Sequence, residues 1–111
     1  MGPETLRKIV TEVMQLLVNG QYLELEHLTK GKHLTATEIR EAVLQIGTDL
    51  VMPPTEAIDA MDVYEGEEDD LVGIDTPMWT MSEGETDYFL RLQIIGTDSS
   101  YQVELGDIHV L

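Results

Sequence analysis

Two adjacent prolines, Pro53 and Pro54, divide the chain into stretches of different hydrophobic period, because neither a helix nor a central strand continues through such a step. Before them the apolar residues recur at helical spacing. Leu6, Ile9, Val10, Val13, Met14 and Leu17 stand at i, i+3, i+4, i+7, i+8 and i+11, which lines one face of a helix over residues 3–19. Pro3 suits a first helical turn, and Gly20 suits the left-handed conformation that closes a last one. A shorter helical stretch with Tyr22, Leu25 and Leu28 on one side runs up to Lys30-Gly31-Lys32. Thr35 and Glu38 then form a capping box ahead of Ile39, Ala42, Val43 and Ile46, with Gly47 as the closing cap.

After the prolines the pattern changes to strands. Residues 57–64 predict a first strand, ended by the acidic run Glu65-Gly66-Glu67-Glu68-Asp69-Asp70, and residues 71–74 and 78–81 predict two short ones. The clearest strand is 87–95, where Tyr88, Leu90, Leu92 and Ile94 alternate with Phe89, Arg91, Gln93 and Ile95. Residues 96–100 read as a turn leading to a partner strand at 101–105, with Tyr101, Val103 and Leu105 inward and Gln102 and Glu104 outward, and a last short strand follows at 108–111. Helices followed by strands indicate one α+β domain over residues 1–111. Its helical part (1–47) is expected to pack on one face of a curved antiparallel sheet of three to five strands (57–111), as in a cystatin-like or NTF2-like cone.

Composition narrows the function. The 111 residues hold no cysteine, which excludes disulfide scaffolds, zinc ribbons, thiol catalysis and iron–sulfur clusters. With 22 acidic against 6 basic side chains the formal net charge is −16, a field that repels nucleic acid and anionic membranes alike. The charge is unevenly placed: residues 1–48 hold five bases and six acids (−1), residues 49–111 only Arg91 against sixteen acids (−15). Such asymmetry points to an acidic face directed at a basic protein, since a field of one sign accelerates association with the other. Solubility alone is the plainer reading of the same numbers. No signal-peptide core or membrane-spanning run is visible, so a cytoplasmic protein is expected.

Few residues carry a chemical signature. Glu65, Glu67, Glu68, Asp69 and Asp70 supply oxygens for a hard cation but lack EF-hand spacing, and a solvated loop is the simpler expectation. His27, His33 and His109 are not spaced to share a metal, and no nucleophile elbow, phosphate loop or dinucleotide fingerprint is present. We therefore expect no enzyme, no cofactor and no metal. Trp79, the only tryptophan, precedes Glu83, Glu85 and Asp87. It either packs against the helices, with Thr86 or Asp87 pinning a turn, or serves as an anchor among carboxylates at an interface.

Trp79-Thr80, Glu83-Gly84 and Thr86-Asp87 follow one another here, after Gly20, Tyr22, Leu25, Leu28, the Thr35-to-Glu38 helix start and the Pro53-Pro54 step, and before a His109-Val110-Leu111 ending. In these positions the chain resembles a small uncharacterised bacterial domain family. The resemblance spans nearly the whole chain and implies no activity. The acidic run 65–70 departs from the family pattern.

The leading expectation is a non-enzymatic binding protein of the immunity or inhibitor type. Glu65, Glu67, Glu68, Asp69, Asp70, Glu83, Glu85 and Asp87 would occupy a basic partner's cationic cleft, with Trp79 as apolar anchor. Two alternatives remain: a small-ligand pocket lined by methionines and Tyr88 or Tyr101, and a homodimer through the exposed sheet face.

Overall fold

A computed structural model describes residues 1–68 and 70–110. Asp69 of the acidic run and Leu111 of the predicted last strand lie outside the described residues. Three helices come first: α1 (Pro3–Val18), α2 (Tyr22–Thr29) and α3 (Ala36–Ile46). The stripe read from the sequence is the buried stripe of α1, from Leu6 to Leu17. The capping box forms as its spacing requires, with the Glu38 N–H donating to Thr35 Oγ1 at 3.3 Å and the Thr35 N–H to Glu38 Oε1 at 3.1 Å. Lys30 and Gly31 both take positive φ (58° and 59°) and stop α2.

The strand half differs from the expectation in three places. A two-residue strand, β1 (Leu50–Val51), precedes the prolines. Residues 57–64 are not one strand: Thr55–Asp59 forms a short helix, α4, and only Asp62–Glu65 is extended, as β2. The Pro54 carbonyl explains the difference, since it accepts from the Ala57 and Ile58 N–H groups (3.0 and 3.1 Å), and the helical turn so opened drops Ile58 into the core. Residues 71–74 and 78–81 are not separate strands either. Leu71–Thr80 is continuous as β3 and runs through Pro77. Pro77 is tolerated because β2 pairs with residues 72–75 and β1 with residues 79–80 of the same β3 edge, so no neighbour there needs its missing N–H.

β4 (Gly84–Thr97) and β5 (Ser100–Val110) are longer than predicted, and only Asp98 and Ser99 lie between them. Gly96 has φ 128°, and a Cβ there would lie 2.8 Å from the Tyr101 Cα, so glycine is required. The predicted strands 101–105 and 108–111 merge across a bulge: Leu92 pairs with Leu105 and Arg91 with Asp107, leaving Gly106 as the extra residue. All pairings are antiparallel, with β1 and β2 sharing one edge of β3, followed by β4 and β5.

The helices cover one face of this open, curved sheet. Ile74 and Met78 of β3, Leu90, Leu92 and Ile94 of β4, and Val103 and Leu105 of β5 meet α1, α2 and α3 in one core. Glu104, expected outward, is buried instead. Lys32 Nζ (3.0 Å) and His33 Nε2 (2.9 Å), from the α2–α3 loop, close over its carboxylate. Among the described residues no helix is long and apolar enough to cross a membrane.

Candidate functional site

Strand alternation places the residues between the core positions on the face without helices. Across β2, β3, β4 and β5 the register then sets them in rows. Asp62, Asp75, Arg91 and Asp107 form one row, and Pro77, Phe89 and His109 the next. Beyond these, Val51 of β1, Trp79 and Glu85 stand side by side. Trp79 therefore does not pack against the helices. Met78 and Thr80 are buried toward them, while Trp79 is half-buried on the opposite face.

The central row is electrostatically closed around its one cation. Arg91 donates from Nε to Asp75 Oδ1 (2.9 Å) and from Nη2 to Asp75 Oδ2 (3.0 Å), a bidentate pair that raises the guanidinium's proton affinity further. Tyr64 lies over Gly73 beside this pair, where any side chain at 73 would collide with its ring. Two rows farther along β3, Trp79 is incompletely satisfied: its indole N–H is covered yet has no acceptor among the described residues. The His109 Nδ1 is likewise without a hydrogen bond and lies 3.7 Å from Asp107 Oδ2.

The Trp-Thr, Glu-Gly and Thr-Asp steps build the β3–β4 hairpin. Thr80 Oγ1 accepts from the Glu83 N–H (3.1 Å), and Gly84 supplies the positive φ of 73° that the turn needs. Asp49 accepts from the Ser82 N–H (2.8 Å), which holds its carboxyl below the usual range. The Thr86 hydroxyl donates to the Met78 carbonyl (2.8 Å) and accepts from the Tyr88 N–H (3.1 Å), pinning a bulge opposite Met78. A family model described as a domain of unknown function (DUF7668) matches residues 14–111. The chain belongs to that family. No curated protein and no solved structure matches it.

The DUF7668 match starts within α1 and takes in every sheet strand, so the open face belongs wholly to the family's part of the chain. The acidic residues singled out from the sequence do not form one patch on it. Glu65, Glu67, Glu68 and Asp70 are exposed where β2 joins β3, and Glu83, Glu85 and Asp87 are exposed at the far end of β3. At about 3.3 Å per residue, β3 holds them roughly 30 Å apart. Among the described residues no three potential metal ligands come together.

Sequence reasoning missed Pro77 and Phe89 as the row beside Trp79, and Asp75 and Asp107 as members of the row beyond it. The alternation of Phe89 with Leu90 and of Arg91 with Leu92 already put two side chains on Trp79's face. Their neighbours follow only from the strand register. Of the methionines, Met14 and Met78 are buried core residues. A hollow of about 560 Å³ lies between α2 and α3, against Tyr22, Leu23 and Arg40.

Proposed function

We propose that this domain binds without catalysis, docking its acidic sheet half onto a basic protein in the manner of an immunity or inhibitor protein for a nuclease-type partner. One observation carries the reading. Arg91, the only lysine or arginine among residues 49–111, is held by Asp75 in a bidentate pair, so the remaining carboxylates of the sheet half have no second cation of their own half to compensate them. Two bases of the helical half, Arg7 and Lys32, are engaged as well, with Asp59 (2.7 Å) and Glu104 (3.0 Å). Opposite charge on a partner would meet a field that speeds encounter and rejects acidic competitors. The bacterial cytoplasm is the setting we assign to such a pair.

The reading is tested by titrating the full chain against a panel of basic nucleases at rising ionic strength. Affinity is expected at low salt and to fall steeply as salt screens the charges, within a Debye length of about 10 Å at 0.1 M. Absence of binding at low salt, or affinity indifferent to salt, refutes it.

A further inference from the structure

We infer that the docking contact is the Trp79 end of the open sheet face, and that its ligand is an arginine- or lysine-bearing segment of the partner laid across Trp79 and Phe89. The inference rests on the docking reading above and adds the place and the chemistry. Pro77, Phe89 and Trp79 form an apolar shelf on the face that carries no helices. Carboxylates border it on two sides. Glu85 pairs in register with Trp79, and exposed Asp87 lies on the same strand, while Asp107 stands beside the Phe89–His109 pair.

The combination selects a cation with an apolar stem. An ammonium or guanidinium is drawn to an aromatic face by its quadrupole, more strongly where water is excluded, and the stem of Lys or Arg covers apolar surface while its head reaches a carboxylate. A neutral apolar segment would leave the bordering carboxylates desolvated and unpaired. An acidic one would be repelled. The only lysine or arginine of the sheet half is already paired with Asp75, so the matching cation has to come from outside.

The acidic junction of β2 and β3 plays a different part. Glu65, Glu67, Glu68 and Asp70 surround an open hollow of about 370 Å³ and are exposed, so a charge pair formed there stays screened by water. Its carboxylates steer the partner in at long range, and the Trp79 shelf holds it. Steering changes the association rate, whereas holding changes the dissociation rate.

The probe is a ten-residue peptide of alternating arginine and glycine, titrated into the full chain at low salt. Trp79 is the only tryptophan, so its emission reports the shelf directly. Saturable change in that emission is expected, with amide NMR shifts on residues 78–79, 85–91 and 107–109. Phe89→Leu keeps apolar bulk but removes the ring, and should raise Kd about fivefold through faster dissociation. The triple variant Glu65→Gln, Glu67→Gln, Glu68→Gln should slow association and leave dissociation within about twofold. Shifts confined to residues 65–70 and 96–98 or to the helices, with Trp79 emission unchanged, overturn the shelf and leave the docking reading standing. Equal binding of a glutamine–glycine peptide overturns the cationic ligand. Failure of the arginine peptide to bind at low salt overturns both the shelf and the docking reading.

Discussion

Removing the two side chains that cover Glu104, by Lys32→Ala together with His33→Ala, should destabilise the fold more than removing Glu104 itself. The Glu104 side chain is only 5% exposed, whereas Lys32 and His33 are 63% and 40% exposed. Burial pushes the Glu104 carboxyl up, but the hydrogen bonds and charges of Lys32 and His33 outweigh it and hold the group below the usual carboxylate range. A carboxylate only accepts, so His33 Nε2 carries the proton in that contact. Stripping a buried charge of its partners costs about 3–5 kcal/mol, and water reaching the exposed donors reduces this to about 2 kcal/mol here. Truncating Glu104 instead returns Lys32 and His33 to water, at a cost of about 1 kcal/mol. In the native protein the lowered carboxyl contributes stability above its unfolded value of about 4.3, and that stability is lost as the pH falls through the folded value. In the double variant burial acts unopposed, so the carboxyl moves up and the penalty exists only above the unfolded value. Urea unfolding should therefore show the gap between the two proteins at pH 7 and its steady closure toward pH 3. Adding Glu104→Gln to the double variant should recover most of the loss. An equal gap at pH 7 and pH 4, or no recovery with glutamine, would refute the assignment.

Three further perturbations have defined outcomes. Gly73→Ala should cost less than about 1 kcal/mol, because the added Cβ meets the outer end of the Tyr64 ring and Tyr64, 41% exposed, can swing aside, and Tyr64→Ala in the same chain should remove that cost, as a double-mutant cycle from thermal unfolding would show. Thr86→Val preserves shape but strands the Met78 carbonyl and the Tyr88 N–H, so chemical denaturation should show a loss of about 2 kcal/mol and hydrogen exchange should quicken at Tyr88. Asp75→Asn should cost less than about 1.5 kcal/mol in stability, because Arg91 reaches solvent, yet it should weaken binding of a basic partner by releasing Arg91 into the face, as calorimetry can measure.

The helical half was legible because its signals are local. The Leu6-to-Leu17 stripe and the Thr35–Glu38 box each lie within one element, and both form as their spacing requires. The strand half was misread where distant partners decide the outcome. Pro77 breaks a strand only if a neighbour needs its N–H, and that depends on where β1 and β2 stop along β3. Gly106 looked like a strand end because a bulge is visible only against Arg91 and Leu92 on the facing strand. Ile58 and Met61 fit both a strand and a helical turn, and burial of Ile58 selects the turn. For the site, the charge asymmetry was plain in the residue counts. Its division between two ends of β3 was not, since that follows from 71–74 and 78–81 being a single strand. Glu104 shows the same limit, because alternation gave its side of the strand but not the loop that covers it.

The divided edge of β3 also bears on self-association. An exposed strand edge is a template on which another chain can build, and long uninterrupted edges are the ones that nucleate fibres. Here β2 offers four residues that begin and end in acids, Asp62 and Glu65, and β1 offers two. Between them Pro77 presents no donor. On the opposite edge of the sheet Asp107 Oδ1 accepts the neighbouring Ile108 N–H at 2.8 Å, occupying a donor that an incoming strand would want. On the β3 side the sheet therefore offers its neighbours only short, interrupted ladders, and the missing donor of Pro77 persists at salt concentrations that abolish charge repulsion between copies.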